Sequence, residues 1–273
     1  MEFLRRCYDR LAHSTPERRL ARAHLHEARQ ESPEAYLSLV ANYLDLVLTF
    51  QGSSRSEDSL TRLDRAEQLF LGLWRHLRYA ERLSDFEFML AGALLETADT
   101  RGPIVSREPL VTKLRLLDPR ARFVFLAHEF ERWSERWVRL VMRMRPDELH
   151  VVLSQTRCEL CGISWDSLSR NERDCLVAIS ASFKRCDNLK LNRALCERAQ
   201  QFPRVLDIKA QWFELRPGLV EVRHRYLPRN EEREALLGNI LRATGSTPLQ
   251  RPRLVDRVIN SVHFSRTGKI RVS

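Results

Sequence analysis

Apolar residues recur at intervals of three and four positions along most of this chain, and this spacing constrains its fold more than any other feature. It predicts one amphipathic helix between Ser32 and Phe50 and another between Leu63 and Leu77, because residues three and four apart share one helical face. Only 9 of the 273 residues are glycine, while 43% are hydrophobic and 30% are charged. This composition favours packed amphipathic helices over a turn-rich β protein, so the sequence predicts an all-α fold.

Typical helix-start residues interrupt the apolar pattern. Aspartate or serine accepts orphan backbone N–H groups and proline tolerates the first helical turn. The predicted starts are Ser84 or Asp85 for a third helix, Asp118-Pro119 and Pro146-Asp147. Further helices are predicted over Trp133 to Met144 and over residues 169–184, 187–200 and 230–243, and residues 219–226 are compatible with a short strand.

The pattern divides the chain into five segments. Residues 1–98 and 113–163 are predicted to form two small helical domains, joined by a linker over 99–112 that contains Pro103 and Pro109. A mostly helical extension follows over 164–245. Residues 246–273 form a basic tail, in which six arginine and lysine residues face the single acid Asp256.

The charge balance is compatible with a polyanionic partner. Lysine and arginine number 46 against 36 aspartates and glutamates, a net charge of +10, and most of the cations are arginine, whose planar guanidinium suits phosphate. A solvated basic surface explains the same numbers. We find neither a signal peptide nor a run of about 18 apolar residues, so the sequence predicts a cytoplasmic protein without a membrane partner and with reduced cysteines.

No catalytic motif stands out in the sequence. A glycine-rich phosphate loop, a G-x-S-x-G elbow and an H-E-x-x-H pair are all missing, so we expect neither an enzyme nor a cofactor. Cys158 and Cys161 form a C-x-x-C pair that a zinc ion could use. Because structural zinc sites usually have a second close pair, we expect buried thiols and no metal.

Four segments stand out together, residues 70–74 (FLGLW), 86–95, 116–126 (LLDPRARFVFL) and 133–135. In combination they resemble the sigma-70 family, in particular RNA polymerase sigma factors of the extracytoplasmic-function type. Residues 116–126 (LLDPRARFVFL) are similar to the opening of the family's C-terminal helix-turn-helix domain, and Trp133-Ser134-Glu135 falls at its "L-S-x-x-E" turn. Upstream, residues 70–74 (FLGLW) resemble the core-polymerase-binding helix, and residues 86–95 the helix after it. The resemblance covers about residues 32–163, and the segments keep the family's order and spacing.

The resemblance implies a transcription factor with two kinds of partner. Residues 32–98 would engage the RNA polymerase core and residues 113–163 would read promoter DNA, while an anti-sigma protein is a further partner of such factors. The chain departs from the family where Met89 replaces tryptophan, Glu96 replaces asparagine, and an arginine-rich run shrinks to Arg101. Since aromatic and cationic side chains hold unpaired strands, these changes argue against promoter melting. Two alternatives therefore remain, an interaction protein on a sigma scaffold and a general nucleic-acid-binding protein.

The candidate DNA-binding residues lie in the predicted helix-turn-helix. Four arginines, spaced four, three and four positions apart, form a predicted stripe along the helix over Trp133 to Met144. They are Arg132, Arg136, Arg139 and Arg143. The opposite face carries the apolar residues Trp133, Trp137, Leu140, Val141 and Met144. On the second helix, Leu149, Val152, Leu153, Thr156 and Leu160 are expected to be buried. That arrangement turns His150, Val151, Ser154, Gln155 and Arg157 toward DNA.

The candidate polymerase-binding residues lie on the helix between Leu63 and Leu77. Leu69 and Leu71 flank its main apolar face, where an isolated domain would prefer polar side chains. Together with Asp64, Glu67 and Gln68 they would form a mixed apolar and acidic surface. Such a surface can dock on a helix of a partner protein.

Overall fold

The computed structural model describes residues 16–54, 59–98, 109–182, 195, 197–246 and 249. Within these residues all regular secondary structure is helical and no strand occurs, which confirms the all-α prediction. The α-helices are α1 Pro16–Ala28, α2 Pro33–Ala41, α3 Leu44–Ser54, α4 Ser59–Arg75, α5 Leu83–Thr97, α6 Pro109–Leu116, α7 Pro119–Glu129, α8 Glu135–Met142, α9 Pro146–Leu160, α10 Arg170–Ser182, α11 Pro203–Tyr226 and α12 Asn230–Ser246. Short 3-10 turns cover Leu77–Tyr79 and Trp165–Ser167.

The helix predicted over residues 32–50 is interrupted at Asn42. The N–H of Asn42 donates to Leu39 O at 3.2 Å and the next N–H to Val40 O at 2.9 Å, so the chain tightens into three-residue turns. The Asn42 side chain also donates to Ser38 O at 3.0 Å, which competes with the regular backbone ladder. The apolar spacing continues across this break, so it could not reveal two helices.

The predicted strand over residues 219–226 is wrong, since these residues form the last two turns of α11. Leu219 and Val222 are buried and lie three positions apart, as one helical face requires. The helix runs through Pro217, which has no N–H to donate to Phe213 O. Valine and charged residues alternate at the start of this segment, which is the pattern of a strand with one buried face.

Several helix starts follow their caps. Asp118 accepts hydrogen bonds from the N–H groups of Arg120 and Ala121 at 3.0 and 3.1 Å, with proline following it, as predicted. Helix α9 begins at Pro146, also as predicted. Helix α5 begins earlier than expected, because Asp85 lies inside the first turn and accepts the N–H of Arg82 at 2.9 Å.

The chain divides into two compact units, each built from separate parts of the sequence. The first unit contains the described residues of Met1–Tyr43, Glu67–Leu90 and Arg233–Ser273. Its core includes Tyr36, whose hydroxyl donates to Phe70 O at 2.5 Å and whose ring lies 5.0 Å from Trp74. Buried Glu87 accepts from the Tyr43 hydroxyl at 2.8 Å and pairs with Arg18 at 3.3 Å, so this internal carboxylate is neutralised within the unit.

The second unit contains the described residues of Leu44–Ala66 and Ala91–Glu232. Helix α3 packs on α6, α7 and α11, and its Phe50 ring lies 6.2 Å from Phe123. Arg122 is 1% exposed, lies over the Phe50 ring and donates to Ser53 O at 2.6 Å. A cation at this position satisfies a carbonyl at the negative end of α3.

The predicted segment boundaries remain predictions. The two compact units do not coincide with these consecutive segments, because each unit combines separate parts of the chain. Residues 44–66 belong with 91–232, although they precede the linker predicted over 99–112. The last part of that linker lies in α6, and the basic tail, apart from Ser246 and Leu249, is outside the described residues. Over the same part of the chain, no helix combines the length and the apolar character needed to cross a bilayer.

Candidate nucleic-acid interface

Helices α7, α8 and α9 form a three-helix arrangement within the second unit. A three-residue turn joins α8 to α9, and α7 packs against both. Arg143 ends α8 in the left-handed conformation (φ 51°, ψ 45°), and the N–H groups of Arg143 and Met144 both donate to Arg139 O. This cap turns the chain sharply into α9. Two helices joined by a three-residue turn and packed on a third are compatible with the predicted helix-turn-helix.

Of the five apolar residues predicted for this face, Trp133, Val141 and Met144 are buried, but the buried face of α8 is rotated toward Val138 and Met142. Val138, Val141 and Met142 are buried, at the three- and four-residue spacing of a core face. Leu140, which was expected on that face, is 54% exposed, and Trp137 is only half-buried. The apolar pattern contained more residues than one face can hold, and packing against α7 and α9 decided between them.

The predicted arginine stripe is not one helical row. Arg136 and Arg139 lie on α8, exposed and half-buried respectively. Arg132 and Arg143 lie just outside its two ends, both exposed and both with positive φ angles of 52° and 51°. Arg145, which the sequence analysis missed, adds a cation with a 79% exposed side chain at the start of α9. Its position directly before Pro146, where a helix was predicted to begin, could have indicated an arginine at the helix start.

The first turn of α9 carries its own acids. Glu148 accepts the N–H of Arg145 at 3.2 Å, and Asp147 lies 3.9 Å from the Arg145 guanidinium. Carboxylates at a helix N-terminus stabilise it, but they also repel a phosphate there. The cations before and around α9 are therefore better placed for phosphate than the helix end itself.

Three of the predicted outward residues of α9 lie on or near its surface. Val151 is 37% exposed and Gln155 is half-buried, with its amide donating to Glu159 Oε1 at 2.9 Å. His150 Nε2 lies 3.5 Å from Glu135 Oε2, with 15% of the His150 side chain exposed. These three are the predicted DNA-facing residues of α9 that keep some solvent exposure.

Ser154 and Arg157, which were expected to face outward, are buried. The Ser154 hydroxyl donates to Leu176 O at 3.3 Å. Arg157 donates to Glu129 Oε1 at 2.6 Å and to the Ser180 hydroxyl at 2.9 Å, and its guanidinium lies over the Trp212 ring. The expectation failed because it ended the domain at residue 163, whereas α10 and α11 cover this side of α9.

The Glu129–Arg157 pair has a strongly perturbed carboxylate. Burial alone would raise the pKa of Glu129, but hydrogen bonds from His128 and Arg157 and the positive charge of Arg157 outweigh it and hold the pKa at about 2. The carboxylate is therefore ionised throughout the physiological range. This ion pair joins α7 to α9 inside the fold.

The two cysteines of the C-x-x-C pair differ in burial, since Cys158 is buried and Cys161 is half-buried. Cys158 is fully buried in a cluster with Leu168, Cys175, Leu176, Ala199, Val205 and Ile208. Burial raises the pKa of the Cys158 thiol to about 12, and the Cys161 thiol contacts Ile208 O at 3.8 Å. Nowhere in the described part of the chain do three or more histidine, cysteine or acidic side chains gather as metal ligands would. The absence of bound zinc stays a prediction. Cys186 and Cys196, which the sequence offers as further possible zinc ligands, are outside the described residues.

The predicted polymerase-binding residues of α4 differ in their exposure. Asp64 and Gln68 are exposed, and Glu67 and Leu71 are half-buried. Leu69, expected to project outward, is only 9% exposed. Glu67 accepts a hydrogen bond from the Asn239 amide of α12 at 3.1 Å, so a helix of the C-terminal extension contacts this surface.

No protein-family model, no curated protein and no solved structure matches this chain.

Proposed function

We propose that the protein is a sigma-like transcription factor that binds the RNA polymerase core and promoter DNA. The observation that carries the proposal is the three-residue turn between α8 and α9, with α7 packed against both helices, at the place where the sequence resembles the sigma family's C-terminal domain. Exposed arginines lie at both ends of α8 and at the start of α9. Such an arrangement can place one helix in a major groove while the cations hold the flanking phosphates.

The residues that would meet DNA are fewer than the sequence indicated. Arg132, Arg136, Arg143 and Arg145 supply exposed cations for phosphate contacts. His150, Val151 and Gln155 are the base-facing candidates, while Ser154 and Arg157 are occupied inside the fold. The base-reading surface is thus the N-terminal two to three turns of α9.

The polymerase-binding half of the proposal rests on α4 and the helix after it. Asp64 and Gln68 present polar atoms to solvent, and Glu67 is held by Asn239. A polymerase helix docking on Glu67 would have to displace that hydrogen bond. The polymerase contact is therefore expected to use Asp64, Gln68 and Leu71 more than Leu69.

DNA binding is tested by a titration of duplex DNA at several salt concentrations. Arg136→Ala with Arg143→Ala should weaken binding at low salt and reduce the slope of log K against log salt by roughly 2, at about 0.9 per lost phosphate contact. Arg19→Ala with Arg22→Ala is the matched control, because these exposed arginines of α1 change the net charge equally. Salt-independent binding, or equal loss in both double variants, would refute the assigned interface.

A second candidate is an interaction protein that keeps the sigma scaffold without promoter melting. Half-buried Met89 and exposed Glu96 favour it, because neither offers the aromatic stacking or positive charge that holds an unpaired strand. Such a protein would retain polymerase and yield no transcripts. General nucleic-acid binding through the basic tail, the third candidate, would persist without polymerase association.

A further inference from the structure

Helix α11 has apolar residues on two opposite faces. One face is buried in the second unit and includes Val205, Ile208, Trp212, Leu219 and Val222. The other face carries an exposed apolar stripe, which consists of Leu206, Ala210, Phe213, Pro217 and Val220. Leu206 is 39% exposed, Phe213 49% and Val220 42%. At these exposed fractions much of the apolar surface of the stripe is in contact with water, and burial against a second helix would remove it from water.

The spacing of the stripe is the heptad repeat of paired helices. Its members follow one another at intervals of four, three, four and three residues. This is the alternation that keeps one seam facing a partner helix over successive turns. The seam runs for roughly 21 Å between Leu206 and Val220 at 1.5 Å per residue.

The two edges of the stripe carry opposite charges. On one edge lie Lys209, Arg216 and Arg223, and on the other lie Asp207, Glu214 and Glu221, each set at seven-residue intervals. Lys209 and Arg223 are half-buried, and the other four are exposed. Charges at these positions set the partner and the orientation of helix pairs, because they face each other across the seam.

We propose that the chain forms a parallel dimer through the apolar stripe of α11. In a parallel pair with twofold symmetry, the basic edge of one helix faces the acidic edge of the other. Lys209 then meets Glu214 of the second copy, five positions along, and Arg216 meets Glu221 in the same way. An antiparallel pair would bring basic edge against basic edge and acidic against acidic. The charge pattern therefore complements a second copy in one orientation only.

Other features of α11 limit the strength of this pairing. Arg223 already pairs with Glu131 at 2.9 Å and with Asp45 at 3.8 Å, so it contributes little across the seam. Glu221 has a competing partner in Arg225 at 2.9 Å. Pro217 interrupts the backbone ladder and bends a helix locally. The dimer is accordingly expected to form reversibly, so the average mass measured in solution rises with protein concentration.

The test is sedimentation velocity of the full chain over a wide concentration range. One variant, Lys209→Glu with Arg216→Glu, makes both edges acidic, and the other, Glu214→Lys with Glu221→Lys, makes both basic. Each alone should self-associate at least about tenfold more weakly than the wild type, since four attractive pairs become repulsive. Mixing the two variants should restore the dimer, because their edges are then complementary. Melting curves of each variant check that the fold is retained.

Orientation is tested by cysteine cross-linking. Ala210 lies in the seam, and only in a parallel pair does it face Ala210 of the second copy. Its neighbour Gln211 lies outside the seam. Ala210→Cys should give a covalent dimer under mild oxidation, and Gln211→Cys should behave like the wild type. A monomer at every concentration, equal association of all charge variants, or failure of the mixture to pair would overturn the proposal. The pairing would occur whether or not the protein binds polymerase.

Discussion

Arg157 illustrates how one side chain can change its role with its surroundings. It was expected on a DNA-facing surface, yet it forms an internal ion pair with Glu129, a hydrogen bond to Ser180 and a stacking contact with Trp212. Removing one member of a buried pair leaves the other charge uncompensated, so a substitution of Arg157 lowers the free energy of unfolding. An Arg157→Ala variant that fails to bind DNA would therefore reveal little about DNA contacts.

The ion pair can be tested through pH. At neutral pH Glu129→Gln should destabilise the protein by about 3 kcal/mol, because Arg157 loses its charged partner. The pKa of Glu129 is lowered from 4.5 to about 2 on folding, so the unfolded state takes up the proton first as the solution is acidified. The wild type thus loses this stabilisation between about pH 4.5 and pH 2, and the gap between the two proteins closes.

Denaturant unfolding of both proteins at several pH values measures this gap. Exposed Glu234→Gln is the matched control and should follow the wild type throughout. A difference that is constant down to pH 2 would show that Glu129 does not titrate as proposed.

The helices themselves were largely foreseeable, while their breaks and faces were not. The spacing of α4, the cap of Asp118 and the start of α9 at Pro146 are local features, and the structure follows them. The break at Asn42 depends on its side chain, which competes for the Ser38 carbonyl oxygen. The rotation of the buried face of α8 depends on how α8 packs against α7 and α9. The burial of Ser154 depends on its hydrogen bond to Leu176 of α10, 22 residues along the chain, which the pattern within α9 does not encode.

Two helical glycines make a matched pair at the scale of the element. A side chain at Gly52 in α3 would overlap the Tyr226 ring, whereas nothing lies within 4 Å of one at Gly72 in α4. Gly52→Ala should therefore destabilise the protein by about 1–3 kcal/mol through overpacking. Gly72→Ala should stabilise it by up to about 1 kcal/mol through helix propensity.

Thermal melts of both glycine variants measure these effects. Combining Gly52→Ala with Tyr226→Ala should recover much of the loss attributable to the clash. If Gly52→Ala is as stable as Gly72→Ala, the close approach of α3 to Tyr226 is wrong.

At the scale of the molecule, the C-terminal extension is part of the fold rather than an appendage. Helices α10 and α11 cover one side of α9, and Asn239 of α12 holds Glu67. The net charge of +10 and the exposed arginines around α8 support the proposed binding of a polyanion. Under the proposed function, the first turns of α9 bind DNA, while the extension packs on the last turns.

The most direct measurement is transcription with purified core RNA polymerase of the source organism on a pool of its genomic DNA fragments. The sigma-like account predicts that the protein is retained by the core enzyme and that discrete transcripts appear only when it is present. Arg136→Ala with Arg143→Ala should reduce these transcripts more than Arg19→Ala with Arg22→Ala. Retention without transcripts would favour the interaction protein, and neither retention nor transcripts would contradict the account.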